Sequence, residues 1–333
     1  MPEMMREAMY YQKASGKSLV CRLCPRYCMI QESEQGFCRS RANIDGTLYA
    51  TNYAKVAALA MDPIEKKPLY HYHPGSKILS LGPNTCNLNC SFCQNYQISQ
   101  FEAPTQELSP VALYDLLKKH SGDHLQVAFT YTEPLTWYEY ILDFASSYPE
   151  VNIVMISNGY LSAEAFKNLL PHVGAFNIDL KAMQDSFYQD ECGGRLKPVL
   201  QNIRSCVEAK VHLELCFLLI PGLNDAKADI LRMADFIAEL NPEIPLHISA
   251  YHPDFKMQKV ATGLEDIKRA IDLVRDKLCN VYGGNLPTED YMQSFCPNCK
   301  AQIIHRSWQG SSSDVGKEAR CPHCGASIYG VFA

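Results

Sequence analysis

No stretch of this 333-residue chain approaches the ~18–20 consecutive apolar residues that a membrane span needs, and its N-terminus lacks the charged-then-apolar pattern of a secretory signal. Those absences set the expectation of a soluble, cytoplasmic protein with no membrane partner. Basic excess is missing too: 31 Lys and Arg against 36 Asp and Glu leave a formal net charge of −5. A duplex-binding protein carries a basic face, so no nucleic-acid partner is expected. Nothing calls for a disulfide scaffold, which belongs to short secreted chains. The 15 cysteines here lie in a long chain, many in C-x2-C pairs, and read as metal ligands held reduced. The length suffices for one large core with small appendages.

What is present is one stretch that organises the rest. Thr85-Cys86-Asn87-Leu88-Asn89-Cys90-Ser91-Phe92-Cys93-Gln94-Asn95 sets three thiols at C-x3-C-x2-C. A loop of that length can wrap three thiolates around one compact inorganic centre. A local zinc site draws four ligands, usually as two C-x2-C pairs on separate hairpins. Three cysteines without a near fourth point to a [4Fe–4S] cluster with one iron free of protein ligands, open to a substrate or cofactor. A zinc knuckle with a distant fourth ligand is the alternative. The apolar run Ile78–Leu81, ending in Gly82-Pro83, places the loop at the end of a buried strand. In parallel α/β folds chemistry gathers at that end.

Two further cysteine sets flank this region. Cys21, Cys24 and Cys28, followed by Cys38, can close a tetrahedral zinc site or hold a second Fe–S cluster, and the spacing serves both. Cys296-Pro297-Asn298-Cys299 and Cys321-Pro322-His323-Cys324 form the paired knuckles of a zinc ribbon. A rubredoxin-like iron site or an auxiliary cluster is the alternative there. Gly310–Asp314 reads as the flexible tip of the ribbon hairpin. Cys206, Cys216 and Cys279 lack ligand spacing and read as small buried apolar residues. Cys192, in Glu191-Cys192-Gly193-Gly194, reads as a better exposed loop thiol able to reach a substrate.

Taken in order, residues 1–20 read as a short helix or loose arm and 48–61 as an extra hairpin. Asp62–His73 is a charged, proline-bounded loop, either solvated surface or a wall of the site. Apolar runs at 78–81, 125–130, 151–156, 175–180, 211–220 and 246–250 then alternate with helical patterns at 110–120, 135–147, 163–170, 197–209, 225–240 and 264–278. Six such units predict a parallel sheet with helical crossovers, too few for a closed eight-stranded barrel. The expected fold class is therefore α/β, a partial (β/α)6 TIM-like barrel over 76–285. A cysteine-rich segment precedes it at 1–75, and a zinc-ribbon-like module follows at 286–333. Strand alternation turns Asn177, Asp179 and Lys181 to one face, into the barrel, where polar groups must be paired or used. A structural Asp–Lys pair is the alternative to a binding role.

The cysteine loop resembles the cluster loop of the radical S-adenosylmethionine (SAM) superfamily, C-x3-C-x-Φ-C, with Phe92 at the aromatic position. Asp62-Pro63-Ile64-Glu65-Lys66-Lys67-Pro68-Leu69-Tyr70-His71 and Cys93-Gln94-Asn95 make the resemblance closer to the AmmeMemoRadiSam-system radical SAM enzymes. These are relatives of the pyruvate formate-lyase activating enzyme, and the likeness runs from about Cys21 to about Cys324. It implies a [4Fe–4S] cluster on Cys86, Cys90 and Cys93, with SAM chelated at the open iron. One electron would split SAM into methionine and a 5′-deoxyadenosyl radical that abstracts hydrogen from a protein, peptide or small molecule.

The resemblance further implies an electron donor such as flavodoxin or ferredoxin, and partners of the Memo-like and AMMECR-like types. For SAM it implies contacts from Phe92, Glu133, Ser157, Asn158, Asp179, Lys181 and His252. Tyr131 and Thr132 stand where the family has two glycines before Glu133, and Ile156 stands where the activating enzymes carry an acid. A helix first-turn role competes for Glu133, and a packing role competes for His252. A glycyl-radical activase is the runner-up reading, although its auxiliary cysteines follow the cluster loop and here they flank the barrel. A non-catalytic Fe–S or zinc scaffold is a third reading, and it needs no polar residues at the strand ends.

Overall fold

The computed structural model describes residues 5–120 and 124–332. Among these, seven parallel strands form the central sheet in sequence order. They are β1 (Lys77–Pro83), β2 (Gln126–Phe129), β3 (Asn152–Ser157), β4 (Ala175–Asp179), β5 (His212–Leu219), β6 (Leu246–Ala250) and β7 (Val281–Gly284). Strands covered on both faces read as continuous apolar runs, and β2 is buried at every position. The crossovers carry α1 (Pro110–His120), α2 (Tyr138–Ser147), α3 (Ala163–Leu169), α4 (Asp185–Cys192), α5 (Leu196–Glu208), α6 (Lys227–Leu240) and α7 (Leu264–Val274). Each long helix buries a stripe at helical spacing, as Leu196, Val199, Ile203 and Cys206 do on α5. The sheet does not close, and the expected partial barrel is what forms. No described helix is long and apolar enough to cross a membrane.

Several local expectations give way. β7 is a seventh strand that its short, glycine-bearing sequence Val281-Tyr282-Gly283-Gly284 did not announce. Lys55–Pro63 joins the barrel sheet antiparallel to β1, with Leu59 opposite Leu81, instead of forming a hairpin with 48–50. Thr47–Ala50 pairs elsewhere, with Arg41–Ile44 and Arg6–Glu7. Within 1–20, the described part is neither helix nor loose arm. Arg6–Glu7, Tyr11–Lys13 and Leu19–Cys21 are strands of two small antiparallel sheets. Such short strands carry no apolar alternation of their own, and their partners' hydrogen bonds define them. At the C-terminus, Gly310–Ser313 is not a flexible tip but a strand paired with Gln302–Ser307, and the turn falls at Trp308-Gln309.

The N-terminal end of the barrel is plugged by polar groups. Glu214 on β5 accepts from Tyr70 N (3.0 Å) and His71 N (2.7 Å), and it lies against His212 (3.1 Å) and His247 (2.6 Å). Burial opposes ionisation there, yet those histidine partners hold the Glu214 carboxyl far below the usual carboxylate range. Arg306 of the C-terminal module reaches the same region. Its Nη2 donates to Tyr70 O (2.5 Å), and its Nη1 donates to Met292 O (2.7 Å) and Ser294 Oγ (2.8 Å). The module is thereby tied to the barrel through a buried guanidinium whose two terminal nitrogens are both bonded.

Candidate active site

At the opposite end, the cysteine loop leaves β1 and docks on the C-terminus of α4. Asn89 N donates to Cys192 O (3.0 Å) and Ser91 N to Glu191 O (2.8 Å), and Ser91 Oγ donates to the Glu191 carboxylate. The last carbonyls of a helix lack intrahelical partners, so loop and helix satisfy each other. Gly193 makes the close approach possible. It caps α4 in the left-handed conformation at φ +64°, and a Cβ there would stand 2.0 Å from Asn89 Oδ1. Glu191–Gly194 is thus a cradle for the cysteine loop. Cys192, expected as an exposed thiol, is fully buried and lies beside Cys90. Its helix was missed because Asp-Ser-Phe-Tyr-Gln-Asp-Glu-Cys is too short and polar to show a clear apolar stripe.

A cavity of about 350 Å³ opens over this loop. It brings Cys86, Cys90, Cys93 and Phe92 together with Glu133, Asn158, Asp179 and Lys181, which follow or end β2, β3 and β4. Two predicted residues lie outside its lining. Ser157 is buried behind the wall, and His252 is exposed, with Nε2 3.1 Å from Gln94 Nε2. Pro68 lines the cavity, so the Asp62–His73 loop does contribute a wall. Cys216, expected as a buried packing residue, faces the cavity with Ser249, and Cys279 is exposed; Cys206 is buried. The two-residue alternation of β5 and β6 is the signal that could have found Cys216 and Ser249.

Sulfur spacing separates the cysteine sets. Bonds of ~2.3 Å at tetrahedral angles put zinc-bound sulfurs ~3.8 Å apart. Cys296 Sγ lies 3.6 Å from Cys324 Sγ, Cys299 Sγ lies 3.7 Å from Cys321 Sγ, and all four fall within 4.8 Å of one another. Among the described residues no other three such ligand atoms gather so closely. Cys86, Cys90 and Cys93 do not form so close a group. Three thiols spread around a cavity fit a multi-iron cluster, which places iron and sulfide between its ligands.

The polar residues around the cavity divide by what they hold. Lys181 Nζ lies 2.9 Å from Asp179 Oδ2, with Lys181 deep (14% side-chain exposure) and Asp179 more open (39%). Burial works against the ammonium, but the Asp179 charge beside it holds the Lys181 pKa well above its ordinary value. Asn177 shares their face, yet its Nδ2 is committed to Pro68 O (2.6 Å). Tyr131 has φ +67°, the left-handed conformation a glycine would adopt. A non-glycine residue there is strained by roughly 1–2 kcal/mol. The turn is held by Tyr131 Oη donating to Asp62 (2.7 Å) and Asn95 Nδ2 donating to Tyr131 O (2.6 Å). Tyr131 is thus held in a glycine-like conformation, while Thr132 is not in the left-handed region.

Glu133 is occupied within the protein. Its Oε1 accepts from Leu135 N (3.0 Å) and Ser157 Oγ (2.8 Å), and its Oε2 accepts from Asn158 N (2.7 Å). It caps the 3₁₀ turn Pro134–Trp137, and it fixes Asn158, whose Nδ2 donates to Asn87 Oδ1 (2.9 Å) beside Cys86. Burial pushes the Glu133 carboxyl up to about 7, against the lowering effect of those three donors. A folded pKa above the unfolded value means the native state binds the proton more tightly. Its contribution to stability should therefore fall as pH rises from about 4.5 to about 7. Denaturant titrations of the cluster-free protein across that range should show the decline, and Glu133→Gln should flatten it. An unchanged slope in the variant would assign the effect elsewhere.

Comparison with known proteins agrees with this geometry. A family model for the radical SAM superfamily matches residues 82–237, which include the three loop cysteines and the ends of β1 to β5. The uncharacterized protein MJ0808 of Methanocaldococcus jannaschii is 39% identical over 334 residues, covering 97% of this chain and 99% of its own. MJ0674 of the same organism is 30% identical over 275 residues, covering 76% and 73%. Among solved structures, a radical SAM methyltransferase from Sphaerobacter thermophilus shares the fold, with a TM-score of 0.50 at 16% identity over 64% of this chain and 67% of that one. Over residues 82–237 this chain is similar to the radical SAM superfamily, and its fold is the radical SAM fold.

Proposed function

We propose that the protein is an enzyme that cleaves SAM reductively and abstracts hydrogen from a protein, peptide or small-molecule substrate. The observation that carries this reading is the convergence of three thiols and the Asp179–Lys181 pair on one cavity. Cys86, Cys90 and Cys93 would hold a [4Fe–4S] cluster with one iron open to SAM. When bound, the reduced cluster supplies one electron for SAM cleavage, and the 5′-deoxyadenosyl radical so formed attacks a substrate C–H bond. The protein's part is to position and enclose. Phe92 and Leu88 wall the loop side, Pro68 and Leu218 wall the barrel side, and exclusion of water protects a radical that reacts with almost any C–H bond.

The Asp62–His71 motif supports placement with the AmmeMemoRadiSam type, since this stretch both lines the cavity through Pro68 and anchors Tyr131 through Asp62. On that reading its partners would be a low-potential carrier such as flavodoxin or ferredoxin, and Memo-like and AMMECR-like proteins. Anaerobic reconstitution, reduction in the presence of SAM, and assay of 5′-deoxyadenosine test the proposal. A reconstituted, reduced protein that forms none would overturn it.

Two further outcomes follow from the same reading. A buried ion is desolvated at a cost of several kcal/mol, and Asp179 leaves much of its carboxylate open to the cavity. SAM's own charged groups would complete the pair. Asp179→Asn should then keep the cluster spectrum and weaken SAM binding by about 1–3 kcal/mol; an unchanged Kd would withdraw Asp179 from the site. The C-terminal cysteines, at the spacing of a closed tetrahedral site, would hold zinc. Changing Cys296 and Cys321 to serine should remove one zinc per chain and leave iron content unaltered. Zinc retained in full would refute that assignment.

A further inference from the structure

The four N-terminal cysteines converge although the sequence spreads them over 18 positions. Cys21, Cys24, Cys28 and Cys38 line one narrow cavity whose other walls include Leu23, Leu135 and Leu161. Cys21 is fixed by backbone pairing, since Cys21 N donates to Cys28 O (2.9 Å) and Leu19–Cys21 pairs with Tyr11–Lys13. No three of the four sulfurs fall within 4.8 Å of one another. The ribbon cysteines of the same chain do so, at 3.6 and 3.7 Å for two of their pairs. A single tetrahedral zinc needs that closer spacing. The N-terminal sulfurs instead stand around a space, as thiolates around an Fe–S cluster do.

A second observation concerns charge. Arg41 lines the same cavity and is 0% exposed. Its Nη1 lies 2.6 Å from Glu139 Oε2, out of hydrogen-bond alignment, and its Nε has no partner at all. A buried guanidinium with an unused donor is costly. A cluster held by four thiolates carries net negative charge and offers sulfur acceptors to such a group. The cavity also touches the first cluster loop directly. Asn87, the residue after Cys86, lines it, and Arg26, between Cys24 and Cys28, donates Nε to Asn87 O (2.6 Å) and Nη2 to Gly193 O.

From these observations we infer that Cys21, Cys24, Cys28 and Cys38 hold a second [4Fe–4S] cluster, directly behind the SAM-site loop. With four protein thiolates every iron is ligated, so this cluster has no position for SAM. The inference goes beyond the proposed function and does not require it, because it concerns a site that SAM does not reach.

The test uses full-length protein reconstituted anaerobically with iron and sulfide, with iron and zinc counted per chain. Wild type should carry about eight irons, two clusters of four. The variant Cys86→Ala/Cys90→Ala/Cys93→Ala should keep about four, with a reduced-state EPR signal that SAM does not alter. Cys24→Ser/Cys38→Ser should lose about four and keep a signal that SAM does alter. Should the triple variant fail to fold, the wild-type count and the Cys24/Cys38 variant decide the matter. A wild-type count of about four, iron undiminished by Cys24→Ser/Cys38→Ser, or a second zinc in place of iron at the N-terminal site would each overturn the inference. Loss of the SAM-responsive signal alone, with the other cluster retained, would count against the proposed function and leave this one standing.

Discussion

Protein carrying Cys86→Ala, Cys90→Ala and Cys93→Ala together should form no detectable 5′-deoxyadenosine after reconstitution and reduction with SAM, and should lose the absorbance of that cluster. The effect is expected to be complete because these are the loop thiols that line the cavity. The fold itself should survive. The loop is held by Asn89 and Ser91 backbone bonds to the end of α4, and by Asn87, whose amide is held by Asn158 and whose carbonyl accepts from Arg26, none of which needs a thiol. Single substitutions are weaker tests, since Cys192 lies against Cys90 and Cys216 faces the same cavity, each offering a replacement sulfur. Deoxyadenosine formed at the wild-type level by the triple variant would sink the assignment.

Gly82→Ala is expected to have the second largest effect, at a residue with no chemistry of its own. Gly82 stands where β1 gives way to the cysteine loop, and an added Cβ would lie 2.2 Å from the carbonyl oxygen of Thr130 on the neighbouring chain segment. That atom is backbone and cannot swing aside as a side chain can. Thr130 N is itself bonded to Leu81 O (2.8 Å), so the two strand ends would have to part. Overpacking of this kind costs about 1–3 kcal/mol or more. The displacement would also move the loop and the Tyr131–Glu133 wall opposite it. A lowered denaturation midpoint together with reduced iron incorporation is the expected result. Gly222→Ala provides the control. Nothing lies within 4 Å of a Cβ there, so only its left-handed backbone (φ +72°) is penalised, by roughly 1–2 kcal/mol. Wild-type midpoint and iron content in Gly82→Ala would show that the strands yield more easily than their bonding implies.

Much of the molecule was legible in the chain because its signals are local. Three cysteines in eight positions need only a loop to meet, and the ribbon pairs need only two knuckles. Buried parallel strands announce themselves as apolar runs, and the helices between them show stripes at their own period. Residues two apart on a strand share a face, so the shared face of Asn177 and Asp179 followed from alternation, and Lys181, two residues past the end of β4, lines the same cavity as Asp179.

Tertiary structure decided what depends on segments far apart in sequence. Lys55–Pro63 and Val281–Gly284 became strands because β1 and β6 offered unpaired edges, a preference neither segment declares by itself. The cradle Glu191–Gly194 is recognisable only once α4 meets a loop about one hundred residues earlier, where the absence of a Cβ at Gly193 lets Asn89 approach. Glu133 could be read from the sequence as a helix-end carboxylate or as a contact for SAM. Its burial and its three donors make it a positioning residue with a raised pKa, because desolvation depends on everything packed around a group. How closely the sulfurs of a cysteine set gather belongs to the same level. Spacing along the chain admits either one ion or a cluster, and only the separation of sulfurs in space distinguishes 3.6 Å neighbours around a point from thiols arranged around a cavity.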